Sequence, residues 1–74
     1  MQEKKFLQLI GKRIAHFRKV AGMTQQALAD ECDMERSAIG RLELGTENVT
    51  AATLLKLSKA LNISISEFFN SGFD

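Results

Sequence analysis

The chain contains no proline, and it has only one cysteine and one histidine in 74 residues. A single cysteine excludes an intramolecular disulfide framework, and the lone histidine lacks the spaced partners that a zinc site needs. No apolar run is long enough to span a membrane, and the beginning MQEKKFLQLIGKR has no apolar region of the secretory type. We therefore expect a cytoplasmic protein with no membrane partner, no metal and no other cofactor.

The residue sets that are typical of enzymes are also missing. The sequence shows no paired carboxylates for acid–base work, no Cys/His set and no glycine-rich loop that would hold a phosphate. A domain of this size also offers little room for a closed pocket. We therefore expect neither an enzymatic activity nor a small-molecule ligand.

What the chain does contain is a helical repeat of apolar side chains. They recur at spacings near 3.6, and the β-branched residues do not alternate, which predicts an all-α fold. Helices are predicted over residues 6–21, 25–31, 35–43 and 51–61. A capping-box pattern at Ser64 and Glu67 predicts a fifth, short helix. We expect a compact five-helix bundle in a single domain over 1–74, with an extension at 1–5 and a tail at 70–74.

Helix ends and core positions follow from the same pattern. Thr24 and Thr50 are expected N-caps, Gly22 is the expected left-handed end of the first helix, and Gly45 is expected to end the third. The residues expected to face the core from the first and fourth helices are Phe6, Ile10, Ile14, Phe17, Val20, Leu54, Leu55, Leu57 and Ala60.

Helices 2 and 3 are predicted to form a helix-turn-helix. Two short helices joined by few residues must cross steeply to bury both apolar sides, and the second is then free to enter a groove. Such a crossing needs a small residue at the contact, here Ala29, and a turn residue that tolerates the left-handed region, here Asp33. The remaining inward residues are predicted to be Leu28, Cys32, Met34, Ile39 and Leu42.

The opposite side of the third helix carries a stripe of residues that should face outward: Arg36, Ser37, Gly40, Arg41 and Leu44. An arginine can donate two hydrogen bonds to O6 and N7 of a guanine, with about 1–3 kcal/mol of discrimination for each good pair. The alternative interpretation of the same pattern is a solvated face with two ordinary surface arginines.

The stretch GMTQQALADECDMERSAIGRLELG resembles the Cro-like phage-repressor (XRE-type) helix-turn-helix family, and TAATLLKLSKALNISISEFF extends the resemblance to residue 69. It implies a lambda-repressor-like fold and a regulator that binds double-stranded DNA. The single-domain layout is similar to that of restriction-modification controller proteins. The implied base-contacting residues are Gln26, Arg36, Ser37, Gly40 and Arg41. The implied backbone-contacting residues are Gln25, Thr46, Asn48 and Arg18. The resemblance also implies an ion pair between Arg18 and Glu43.

The charge of the chain is low for a DNA-binding domain, at a net +1. Residues 1–22 hold six basic side chains and one acid, whereas residues 23–74 hold four basic side chains and eight acids. Glu47 also lies in a loop where the family commonly has lysine or arginine. This balance leaves open a different function for the same fold, a protein-interaction module such as an antitoxin or a regulator subunit.

Weak binding by one copy predicts a homodimer that engages two half-sites about one helical turn apart. Phe68, Phe69 and Phe73 cluster near the end of the sequence and form the predicted interface. The alternative is that Phe68 and Phe69 only close the core.

Overall fold

A computed structural model of the protein describes residues 1–70, which form four α-helices and one 3₁₀ helix without any strand. The elements are α1 (Glu3–Val20), α2 (Gln25–Glu31), α3 (Arg36–Leu44), α4 (Ala51–Leu61) and the 3₁₀ helix (Ile65–Phe69). The predicted all-α class is confirmed, but the count of five α-helices is wrong, because the last element is a 3₁₀ helix. The first helix begins at Glu3 instead of residue 6, since the N–H of Phe6 already donates to the carbonyl of Gln2 at 3.0 Å.

The ends of the middle helices follow the predicted signals. The hydroxyls of Thr24 and Thr50 each accept a backbone N–H three residues ahead, at 3.0 Å, so both N-caps are confirmed. Gly22 and Gly45 have φ values of 73° and 75°, and Gly45 is the left-handed cap of α3. The two glycines therefore lie where α1 and α3 end, as the local sequence predicts.

The predicted capping box at the last element does not form. The hydroxyl of Ser64 accepts the N–H of Ser66 at 3.4 Å, while the N–H of Glu67 donates to the backbone carbonyl of Ser64 at 3.0 Å. The carboxylate of Glu67 instead accepts a bond from the side chain of Asn70 at 2.8 Å. The backbone bond from Glu67 to Ser64 spans three residues rather than four, which is the pattern of a 3₁₀ helix.

A single core lies among α1, α2, α3 and α4, and the 3₁₀ helix closes it. Its buried apolar residues are Ile10, Ile14, Leu28, Ala29, Cys32, Ile39, Leu42, Leu54, Leu57, Leu61 and Phe68. The inward set predicted for α2 and α3 is thus confirmed, with Met34 packed against it at partial exposure.

Two predicted core positions are wrong. Val20 is 71% exposed, because α1 extends beyond the core at its last turn, where Lys19 and Ala21 are exposed too. Leu55 is 47% exposed, because it lies outside the buried stripe of α4. That stripe is formed by residues spaced three and four apart: Leu54, Leu57 and Leu61.

The turn between α2 and α3 depends on Asp33, which has a φ of 53°. This left-handed conformation was expected, since aspartate enters the region more readily than most residues. The turn is closed by the N–H of Met34, which donates to the carbonyl of Ala29 at 2.9 Å. The chain thereby reverses sharply, and α3 packs against both α1 and α2.

Candidate nucleic-acid interface

The outward face of α3 is the stripe predicted from the sequence. Arg36, Ser37 and Arg41 are exposed, whereas Ile39 and Leu42 on the opposite side are 0% and 5% exposed. Two smaller features complete the stripe: Leu44 is 71% exposed, and a Cβ added to Gly40 would have no atom of residues 1–70 within 4 Å apart from its own helix turn. The helix therefore offers a partner two cations, a hydroxyl and, at Gly40, a place where no side chain stands in the way.

The position of α3 on the molecule is set by a backbone contact with α1. A Cβ at Gly11 would lie 2.5 Å from the carbonyl oxygen of Leu42, and one at Gly45 would lie 2.7 Å from the Cα of Gln8. Two helices can approach this closely only where a side chain is absent. Gly11 was missed in the sequence analysis. Its signal was an isolated glycine within a helical pattern, which costs about 1 kcal/mol against alanine and suggests a packing reason.

The orientation of α3 is fixed by the expected ion pair, which the structure confirms. Arg18 Nε donates to Glu43 Oε2 at 2.6 Å and Nη2 donates to Oε1 at 3.1 Å, with side-chain exposures of 11% and 8%. Arg18 Nη1 also donates to the carbonyl of Met23 at 2.9 Å. The hydrogen bond to Glu43 raises the pKa of Arg18, although burial opposes this shift.

The burial of Arg18 argues against its expected contact with a DNA backbone. Its three nitrogens all donate within the chain, and the side chain is covered. Arg18 therefore acts beneath the exposed face, where it holds α3 on α1. A buried pair of this kind fixes geometry more than it adds stability.

A line of hydrogen bonds connects this pair to the exposed face. Gln25 Nε2 donates to Glu43 Oε1 at 3.0 Å, and Gln25 Oε1 accepts from Arg36 Nη1 at 3.2 Å. The line therefore passes from Arg18 on α1, through α3 and α2, to an arginine at the first turn of α3. Gln25 was expected to contact the DNA backbone, and the binding of both ends of its amide within the chain was not predicted.

The second arginine of the stripe has a different partner. Arg41 Nε donates to Glu47 Oε1 at 2.9 Å, with side-chain exposures of 50% and 43%. The hydroxyl of Thr46 donates to the carbonyl of Arg41 at 3.2 Å, so the loop after α3 is tied back to the helix. Asn48 in the same loop is exposed. From the sequence, Glu47 was notable only as an acid in a loop where the family commonly has lysine or arginine, and its pairing with Arg41 was not predicted.

Gln26 lies apart from these two groups, on the exposed side of α2. Its Nε2 donates to Asp30 Oδ1 at 2.8 Å, one turn further along the same helix. The structure therefore brings Gln25 and Arg36 together and joins Arg41 to the following loop, while it leaves Gln26 on its own helix.

The three phenylalanines of the predicted dimer interface have different environments. Phe68 is 0% exposed and its ring lies edge-on to Phe17, with centroids 6.1 Å apart. It therefore belongs to the core of the monomer, and the prediction of an interface role for it is corrected. Phe69 is 42% exposed and stacks on Phe6 at 6.4 Å. Phe73 lies outside the described residues.

Within residues 1–70, no helix is both long enough and apolar enough to cross a membrane. In the same range, no three His, Cys, Asp or Glu side chains come together in a way that could hold a metal ion.

Comparison with known proteins identifies the family. The model of the helix-turn-helix family HTH_3 matches residues 14–68 of the chain. The chain is 42% identical over 60 residues to the competence pilus inhibition repressor of Acinetobacter baylyi, with 81% of this chain and 54% of that protein covered. The chain thus spans about half the length of this relative.

Restriction-modification control proteins are also similar. The control protein C.BamHI of Bacillus amyloliquefaciens is 39% identical over 56 residues, which cover 74% of this chain and 69% of that protein. The crystal structure of the restriction-modification controller protein C.AhdI from Aeromonas hydrophila matches with a TM-score of 0.82 at 36% identity, covering 85% of this chain and 96% of that one. The chain belongs to the helix-turn-helix family.

Proposed function

We propose that this protein is a transcription regulator that binds double-stranded DNA in a sequence-specific manner, as a homodimer on a pseudo-palindromic operator. The observation that carries the proposal is the exposed face of α3, held on α1 by the Gly11 contact and the Arg18–Glu43 pair. The major groove is wide enough to admit a helix presented in this way. The similarity to a repressor and to control proteins supports a regulatory role.

In this proposal the residues of α3 read bases. Arg36 and Arg41 donate to guanine edges, and Ser37 reaches a base or a phosphate. Gly40 lets the groove wall approach, since no other part of residues 1–70 outside its own helix turn occupies the space beside its Cα. Gln26, on the exposed side of α2, is also assigned to a base, and the residues assigned to the sugar-phosphate backbone are Gln25, Thr46 and Asn48.

The dimer is the second part of the proposal. Exposed apolar side chains remain on the last two elements, where Leu55 is 47%, Ile65 is 36% and Phe69 is 42% exposed. Burial of such side chains favours association by roughly 25 cal/mol per Å² of apolar surface. Two copies related by a two-fold axis would read two half-sites and offset the low charge of each one.

Selection from a pool of random duplex DNA tests the DNA-binding part. We expect an enriched, approximately palindromic sequence, whose affinity falls steeply as salt rises, because phosphate contacts release counterions. Arg36→Ala is expected to relax the preference at one base pair in each half-site. Binding that ignores both salt and sequence would refute the proposal and favour a protein partner for this fold.

Sedimentation of Phe69→Ala tests the dimer part. We expect a dimer in the unmodified protein and a shift towards monomer in this variant. Val20→Ala is the matched control, since Val20 is also exposed, at 71%, but lies on α1. An unchanged dimer in Phe69→Ala would remove this interface from consideration.

A further inference from the structure

The two arginines of the α3 stripe are held by partners of different charge. Arg36 Nη1 donates to the neutral amide of Gln25 at 3.2 Å, so Arg36 keeps its full positive charge. Arg41 Nε donates to the carboxylate of Glu47 at 2.9 Å, so Arg41 and Glu47 together carry no net charge. The two cations of the stripe therefore cannot contribute equally to phosphate binding.

Because Arg41 uses Nε for this bond, one edge of its guanidinium group remains available. A guanidinium can offer either its Nε–Nη edge or its Nη1–Nη2 edge to a bidentate acceptor. Glu47 occupies Nε, and within residues 1–70 neither Nη of Arg41 has a hydrogen-bond partner. The Nη1–Nη2 edge is therefore free, and O6 and N7 of guanine form an acceptor pair that fits it.

We infer that Glu47 is a positioning residue, which holds Nε of Arg41 so that its Nη1–Nη2 edge reads a guanine. This inference rests on the proposed DNA-binding function and names the source of its specificity at one base pair. The loop supports the arrangement, because the hydroxyl of Thr46 donates to the carbonyl of Arg41 at 3.2 Å. This bond holds the start of the loop, and with it Glu47, close to Arg41.

The charge balance explains why a carboxylate is present so close to a DNA-binding face. In water a pair as exposed as this one contributes little, because solvent screens it and two side chains must be ordered. When DNA covers the pair, a carboxylate without a partner would be costly, so Glu47 must keep its bond to Arg41. The bond thus becomes stronger in the complex, and Arg41 is directed to a base instead of a phosphate.

Glu47→Ala, Glu47→Gln, Arg41→Ala and the double variant Arg41→Ala/Glu47→Ala test the inference. The probes are the duplex selected by the unmodified protein and duplexes with one base pair changed at each position. Arg41→Ala should lose about tenfold in discrimination at one guanine of each half-site, which is within the range of a single bidentate contact. Glu47→Ala should lose discrimination at the same base pair, and Glu47→Gln should retain most of it, because the amide oxygen still accepts from Nε.

The salt dependence gives an independent readout. Glu47→Ala and Glu47→Gln should each bind all duplexes more tightly at low salt, with a slope steeper by about 0.9 for each released positive charge. The double variant should keep the slope of the unmodified protein and show no loss of discrimination beyond that of Arg41→Ala.

Two outcomes distinguish failure of this inference from failure of the proposed function. If the unmodified protein selects a site but Glu47→Ala keeps full discrimination at every base pair, Glu47 is only a repulsive charge and the inference is overturned. If the unmodified protein selects no site at all, the proposed function itself is wrong.

Discussion

Arg18 and Glu43 face each other across the contact between α1 and α3, with Nε and Oε2 2.6 Å apart. The same carboxylate also accepts a bond from Gln25, so a single side chain at the end of α3 joins three helices. These bonds fix the position of α3 and its rotation about its own axis. The residues of its exposed face take no part in them.

Removal of Glu43 should therefore destabilise the fold. Breaking a buried pair leaves one charge uncompensated, and the usual cost is about 3–5 kcal/mol. We expect Glu43→Ala to lower the free energy of unfolding in urea by about this amount, and Glu43→Gln to lower it less, since the amide oxygen still accepts from Arg18. Glu47→Ala is the control, because its ion pair is exposed and contributes about 1 kcal/mol or less. Equal losses in Glu43→Ala and Glu47→Ala would contradict the interpretation.

Gly11→Ala should also destabilise the protein, for a steric reason. Its Cβ would lie 2.5 Å from the carbonyl oxygen of Leu42, and backbone cannot move aside as a flexible side chain can. Overpacking typically costs about 1–3 kcal/mol, and alanine's better helix propensity offsets about 1 kcal/mol of it. Thermal denaturation followed by circular dichroism measures the change. A melting temperature at or above that of the unmodified protein would show that α1 and α3 are not in contact at Gly11.

Gly40→Ala is the matched control for Gly11→Ala, and we expect it to stabilise the protein. Gly40 also lies inside a helix, but in the described part of the chain its Cβ would meet no atom within 4 Å beyond its own helix turn, so the gain in helix propensity of up to about 1 kcal/mol is not opposed. In the DNA complex the added methyl group would enter the space proposed for the groove wall. The variant should thus melt higher and yet bind the selected duplex more weakly. Tighter or equal binding would exclude close approach at this residue.

Local signals in the sequence predicted most of the fold. Thr24, Thr50 and Gly45 acted as caps because each makes its bond within a few residues along the chain. The α3 stripe was predictable as well, because helical periodicity puts Arg36 and Arg41 opposite the buried Ile39. Such features depend on one element at a time.

The features that were missed depend on more than one element. Apolar type alone did not separate Leu55 from Leu54, since only packing against other helices decides which of the two is buried. The contact of Gly11 with α3 and the bond of Gln25 to Arg36 join residues that are far apart in sequence. Phe68 was assigned to an interface because an apolar residue looks the same whether its own chain or another covers it.

The buried Cys32 should make stability fall at alkaline pH. Burial raises the pKa of this thiol, and Lys56 only partly opposes the shift. The protonated thiol stabilises the folded state fully below the unfolded-state pKa of about 8.5. This contribution is lost as pH rises from there through the higher folded-state pKa, because the unfolded chain ionises first. We expect a decline in unfolding free energy above about pH 8.5 that is shallower in Cys32→Ala. Parallel declines in the two proteins would assign the effect to other groups.

Gln25→Ala should affect base recognition as well as affinity. The substitution removes the acceptor of Arg36 Nη1 and one donor to Glu43, while Arg18 still holds that carboxylate through two bonds. The fold should therefore persist, whereas Arg36 loses its anchor. We expect weaker binding to every duplex, together with a relaxed preference at the base pair that Arg36→Ala affects. In the Arg36→Ala background, Gln25→Ala should cause no further relaxation there. A purely uniform loss of affinity would mean that Gln25 acts only through the DNA backbone and does not position Arg36.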